Sequence, residues 1–240
     1  MLAYVITCLY VYTHTQVNKP FLPIAAKLLT KERAWQLVIT CILTGITIVK
    51  TKFSPLIFAL YCIGIVFGTV YSIPPFHLKR FPILAGLTIA IVRGFLLNFG
   101  VYYAVSEALN IPFIWNPVVG FISGFMTVFA SVIAITKDLP DVEGDKKYNI
   151  DTFAGKYGVK AVANIASYAL GFAYITAITL GVVGKSSFKP LPMIGGHSAL
   201  LAYFIYHYSL LEGENMSSVK KFYKIIWNLF YMEYCLYPFI

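Results

Sequence analysis

Between Lys137 and Lys147 the chain carries Asp138, Asp141, Glu143 and Asp145, the densest cluster of acid in a sequence with only 10 acidic residues. Asp138, Asp141 and Asp145 are three and four positions apart, so a helix continuing from the apolar run at 113–136 would line all three carboxylates along one face. Such a row repels itself unless a cation lies against it. Clustered carboxylate oxygens suit Mg²⁺, which takes one or two of them from protein and fills its octahedron with water and phosphate oxygens. The chemistry expected here is metal-bridged capture of a phosphate ester. A solvated loop balanced by Lys137, Lys146 and Lys147 is the plainer alternative, set against the fact that half of the chain's acidic residues fall within 138–151.

A second polar cluster is Tyr71-Ser72-Ile73-Pro74-Pro75-Phe76-His77-Leu78-Lys79-Arg80. Its two prolines make a rigid exit from a helix, after which Lys79 and Arg80 offer adjacent cations to a diphosphate, the arginine able to grip two oxygens. Alone, the same stretch reads as a basic anchor at a membrane surface. Arg93 sits about ten residues inside an apolar run, where a permanent charge facing lipid is costly, so it is expected to face the bundle interior or a polar cavity. Asn98 lies toward a similar face; an ion pair from Arg93 to Glu107 or to an acidic loop is the alternative. His14, His77, His197 and His207 lack metal-pair spacing and read as interfacial or packing residues, and Gly195-Gly196-His197 is too short for a phosphate loop. Cys8, Cys41, Cys62 and Cys235 stand singly in apolar runs, as packing residues. The aromatics of the last run, Trp227, Phe230, Tyr231, Tyr234 and Tyr237, read as belt and core, with some able to stabilise an allylic cation by their ring faces.

What must position these groups follows from composition. At 59% hydrophobic and 12% charged, the 240-residue chain lies outside the range of soluble domains, which carry about 25% charge, and reads as an integral membrane protein of one domain, 1–240. Eight apolar runs are candidate spans: 1–16, 34–50, 53–71, 82–104, 113–136, 159–183, 191–211 and 222–240. Period-2 alternation is absent and lipid tolerates no open sheet edge, so the predicted class is an all-α, polytopic transmembrane bundle. The loops at 17–33, 72–81, 137–160 and 212–224 hold 14 of the 19 basic residues; the opposite loops hold Lys50, Lys52, Lys185 and Lys189. The first set therefore marks the cytoplasmic or stromal face, and the acidic stretch lies on it. The net charge of +9 is spread over short loops, which points to anionic headgroups or an anionic substrate and not to nucleic acid. No cleavable signal is visible, and the chain is expected to begin inside a spanning segment.

Lys137-Asp-Leu-Pro-Asp-Val-Glu-Gly-Asp145 with Ile150-Asp-Thr-Phe-Ala154 resembles the second aspartate-rich motif of the UbiA-type intramembrane aromatic prenyltransferases. The stretches 71–82, 92–103 and 226–234 are similar to the plastid homogentisate branch of that family, nearest to its solanesyl-transferring group in plastoquinone synthesis. The resemblance covers 17–240. It implies nine helices around a lateral lipid-facing cavity, a plastid membrane, and Mg²⁺ ions on two aspartate motifs that bind a prenyl diphosphate. Ring attack on the allylic cation would then prenylate homogentisate with loss of the acetate carboxylate. Carried onto this chain, it implies metal ligation by Asp138, Asp141 and Asp145, diphosphate contacts from Lys79, Arg80, Lys137 and Lys146, and a substrate pocket including Tyr71, Arg93, Asn98, Asn18 and Lys19. One departure stands out. The Asn-x-x-x-Asp-x-x-x-Asp motif expected just before Val17-Asn18-Lys19-Pro20 would place its ligands at Thr7, Val11 and Thr15, none of which is a carboxylate. The expectation is a truncated or alternative product with little or no turnover, against which stands an inactive homologue that binds prenyl lipid or a partner subunit. An ion or proton transporter is disfavoured, since relay carboxylates belong inside helices and these sit in a loop.

Overall fold

Three of the described helices start on proline, where a missing N–H costs nothing and the fixed φ suits the first turn. They are α2 (Pro55–Ser72), α3 (Pro82–Ile89) and α5 (Pro117–Thr136), the last also capped by Asn116, whose Oδ1 accepts from the Val119 N–H at 2.8 Å. In the computed structural model of the chain, the described residues are 23–24, 26–73, 75–76, 78, 81–147 and 152–240, with Pro82, Lys146 and Lys147 described by backbone alone. Before these elements runs α1 (Lys31–Lys52); after α3 come a π-helical turn (Ala90–Leu96) and α4 (Leu97–Ala108). Beyond α5 follow a 3₁₀ turn (Leu139–Asp141), α6 (Val142–Lys147), α7 (Phe153–Tyr157) and α8 (Val159–Val183). A second π-turn (Leu191–Gly196) opens α9 (His197–Ser209), and α10 (Met216–Leu236) ends in a 3₁₀ turn. No strand occurs among the described residues.

Successive long helices run antiparallel. Gly86 faces Ala134 and Gly94 faces Thr127, so α3 with its π-turn descends along α5 as α5 rises; Gly181 likewise meets Met193 and Ile194 across the α8 to α9 turn. A Cβ on Gly94 would lie 2.3 Å from the Thr127 Cα, so only glycine allows the two backbones this close. The core lies between α5, α8, α9 and α10. Phe125, Met126, Phe129 and Ile133 of α5 share a core cluster with a stripe of small residues on α8, Ala163, Ala166, Ala173 and Ala177, and with Ile226 and Leu229 of α10.

Among the described residues, five helical segments are long and apolar enough to cross a membrane: Lys31–Lys52, Pro55–Ser72, Ile83–Ala108, Pro117–Asp145 and Val159–Val183. The helices at 191–209 and 216–236 fall outside that set. In the first the α-helical part is 13 residues behind a π-turn, and the second carries Lys220, Lys221, Lys224 and Glu233. The run at 1–16 lies outside the described residues. Leu43, Ile63, Val66, Phe172, Ile175 and Val183 point outward, a surface suited to lipid tails. Cys41 and Cys235 share that outer surface, contrary to the packing role expected of them, while Cys62 is half-buried.

Candidate active site

The polar end of the bundle is built where α2 and α5 finish. Lys137 caps α5 and Tyr71 lies in the last turn of α2; the Lys137 Nζ donates to the Tyr71 hydroxyl at 3.1 Å and lies 5.7 Å from its ring centroid. The same ammonium sits 3.8 Å from an Asp138 carboxylate oxygen, with both side chains half-buried. A phenol, a cation and an acid from segments 66 residues apart thus meet at the helix ends. Lys19, Asn18, Lys79 and Arg80, together with Thr7, Val11 and Thr15, lie outside the described residues, as does the Lys146 side chain.

The acidic stretch is not the unbroken helix expected of it. Helix α5 stops at Thr136, because Pro140 has no N–H to donate back and its ring crowds the carbonyl four residues earlier. The chain continues through the 3₁₀ turn, held by the Asp141 N–H to Asp138 O bond at 3.2 Å, into α6. Leu139 and Val142 are sunk in the core and fasten the stretch to it. Asp145 is 4% exposed and Asp138 and Asp141 are half-buried, whereas Glu143 is exposed, so the three aspartates turn inward and the glutamate outward. Among the described residues no three acidic, thiol or imidazole side chains converge on one point to hold a metal. The donor set still fits Mg²⁺ on its usual terms, one or two carboxylates per ion beside water and phosphate oxygens.

About halfway along the bundle, Arg93 lies on the π-turn with an exposed side chain, not the interior placement expected of it, and its guanidinium carbon is 5.4 Å from the Trp227 ring centroid of α10. Asn98 braces this turn: its amide nitrogen donates to the Gly94 carbonyl and, at 3.4 Å, to the Arg93 carbonyl, and its oxygen accepts from the Tyr234 hydroxyl at 3.3 Å. A π-turn disturbs the regular i to i−4 ladder, and the Asn98 amide serves carbonyls on it. Arg93 makes no ion pair with Glu107, which lies 14 residues further along the same helical path, near the opposite end.

Sequence reasoning missed a third polar group. His197 and Glu233 are fully buried, with Nε2 and Oε2 3.5 Å apart inside a cage of Phe121, Phe125 and Tyr174 rings. The His197 Nδ1 lies 2.7 Å from the Met193 carbonyl, which can only accept, so Nδ1 carries a hydrogen and Nε2 is left facing the Glu233 carboxyl group. Tyr174 and Tyr237 lie within electrostatic range of the same carboxylate. The signal was an acid and a histidine inside apolar runs, where an ionisable group needs a partner.

The fold has solved counterparts. A digeranylgeranylglyceryl phosphate synthase aligns with a TM-score of 0.66 at 18% identity, covering 98% of this chain and 79% of the other. A UbiA homologue from Archaeoglobus fulgidus, solved with DMAPP and Mg²⁺, aligns with a TM-score of 0.58 at 15% identity, covering 100% and 83%. In sequence the chain is 49% identical over 227 residues to a probable homogentisate phytyltransferase 2 of Oryza sativa subsp. japonica. It is 48% identical over 227 residues to the homogentisate solanesyltransferase of Arabidopsis thaliana. Each alignment takes in 94% of this chain, which spans about three-fifths of the relatives' length (60% and 59%). The family model for UbiA prenyltransferases matches residues 3–230, and with a helical bundle of the same fold and an aspartate stretch at its polar end, the chain belongs to the UbiA prenyltransferase family.

Proposed function

We propose that this protein is a Mg²⁺-dependent aromatic prenyltransferase of a plastid membrane that moves a polyprenyl group, of solanesyl length, from its diphosphate to homogentisate. The observation that carries this reading is the convergence of Tyr71, Lys137 and Asp138 at the helix ends, which sets a cation and a carboxylate where an anionic leaving group would arrive. Its two chloroplastic relatives are named for homogentisate prenylation.

In the proposed reaction the C1–O bond of the prenyl diphosphate breaks with both electrons leaving on the diphosphate, and a ring carbon of homogentisate supplies the electrons of the new C–C bond. The attacked ring carbon gives up its proton, the bond between the arm's methylene and the carboxylate breaks to release CO₂, and a proton takes the carboxylate's place, so the products are the methylated, prenylated quinol, CO₂ and diphosphate. Mg²⁺, when bound by Asp138, Asp141 and Asp145, supplies positive charge to the departing diphosphate. Lys137 adds charge from the chain itself, preplaced by Tyr71, which is where electrostatic catalysis gains most. Apolar walls keep water from the allylic cation.

A second reading, Mg²⁺-dependent diphosphate binding without turnover, is favoured by one observation: Thr7, Val11 and Thr15 stand where the family's other aspartate motif would place ligands. The test is an assay of the chain in lipid with radiolabelled solanesyl diphosphate, homogentisate and Mg²⁺. Prenylated product that disappears in Asp141→Ala supports transfer; bound diphosphate without product supports the second reading; turnover indifferent to Asp141→Ala contradicts both.

A further inference from the structure

Among the described residues Arg93 has no counter-ion. It lies halfway along a bundle whose outer surface suits lipid, its side chain is exposed with the guanidinium over the Trp227 ring, and no carboxylate or hydrogen-bond acceptor among the described residues engages it. Arginine carries five N–H donors in a planar fork matched to a carboxylate or phosphate. Stacking on Trp227 covers a face of that fork and leaves the donor edge available. The segment that bears it is π-helical, a departure from the α-helix that often coincides with function, and Asn98 and Tyr234 hold it in place.

Depth decides which anion fits. Gly94 abuts Thr127, and Thr127 lies ten residues before Lys137, so Arg93 sits about 15 Å below the acidic end at 1.5 Å per residue. Side chains on a helix lean toward its N-terminus, here the acidic end, and an extended arginine recovers roughly 6 Å of that distance on ordinary bond lengths. About 9 Å remain. A diphosphate held by Asp138 and Lys137 does not cross that gap. An aromatic acid with a one-carbon arm does: roughly 6 Å separate its carboxylate from the far ring carbons on ordinary bond lengths, and about 3 Å more brings the ring to the carbon it attacks.

We infer that Arg93, seated on Trp227 beside Tyr234, binds the carboxylate of the aromatic acceptor and aims its ring at the diphosphate end. The inference rests on the proposed use of homogentisate as acceptor and adds the residue that selects an acid over a neutral phenol.

Equilibrium binding of radiolabelled homogentisate to the chain in nanodiscs, with no prenyl diphosphate present, tests it. The wild type is expected to bind the acid about 10- to 100-fold more tightly than Arg93→Met does, the range for hydrogen bonds to a charged group. Arg93→Lys should recover part of the loss, and the methyl ester should bind the wild type no better than the acid binds Arg93→Met. Acid and ester binding the wild type equally would overturn the inference without any variant, as would undetectable binding of the acid. A parallel fall in solanesyl diphosphate affinity in Arg93→Met, by the same factor, would overturn it too, by assigning the arginine to the leaving group. Prenyl transfer is scored separately: acid binding that depends on Arg93 in a chain that makes no product sinks the enzymatic reading and leaves the carboxylate subsite standing.

Discussion

A single ammonium, that of Lys137, joins the two polar stretches that the sequence keeps 66 residues apart. If Tyr71 serves to hold it, Tyr71→Phe removes one hydrogen bond, about 1 kcal/mol, and should raise the KM for prenyl diphosphate several-fold with kcat little changed. Asp138→Asn and Asp141→Asn should each cost roughly 10²-fold in kcat/KM, the scale of losing a preplaced electrostatic partner, with no change in the thermal unfolding midpoint. Steady-state kinetics on the variants in lipid check both expectations. At this scale much was legible. The spacing of the three aspartates predicts one shared helical face; all three are buried or half-buried while Glu143 is exposed, but Pro140 breaks the helix that was to align them. His197 and Glu233 were not legible as a pair, because 36 positions separate them and only the packing of α9 on α10 brings them together.

The helices carry these residues through contacts that tolerate little change. Gly94→Ala would push a methyl into the Thr127 backbone, and overpacking of this kind costs about 1–3 kcal/mol, so the unfolding midpoint in detergent should fall. The π-turn that presents Arg93 should shift with it, and homogentisate affinity should drop in proportion. At the other end of the bundle, His197→Ala or Glu233→Ala leaves a buried group without its partner and should destabilise by about 3–5 kcal/mol. The paired change His197→Phe with Glu233→Leu should lose less than the sum of the two single variants, since neither polar group then remains buried alone. Among the described residues the helices were readable from apolar runs and prolines to within about four residues, except that the last begins at Met216, six residues before the run at 222–240, because its first turns carry Lys220 and Lys221. The π-turns were not, because they depend on glycine-permitted close approach to a neighbouring helix and on a side-chain amide several residues further along the chain.

For the molecule as a whole, the acidic stretch lies at the end of the bundle where α2 and α5 finish, and the five apolar segments among the described residues set the span between the ends. A cysteine placed at Ser217 should therefore be labelled by an impermeant reagent from the same side as one placed at Glu143, and from the opposite side to one at Ser186. Loop charge predicts this polarity, since it follows insertion energetics and not tertiary packing. The central claim is that the polar end is a metal-assisted diphosphate site, and direct binding of radiolabelled prenyl diphosphate to the chain in nanodiscs tests it most simply. The expected result is binding that requires Mg²⁺, is abolished by EDTA, and is lost when Asp138 and Asp141 are both changed to Asn; binding that survives EDTA and the double substitution unchanged would contradict it.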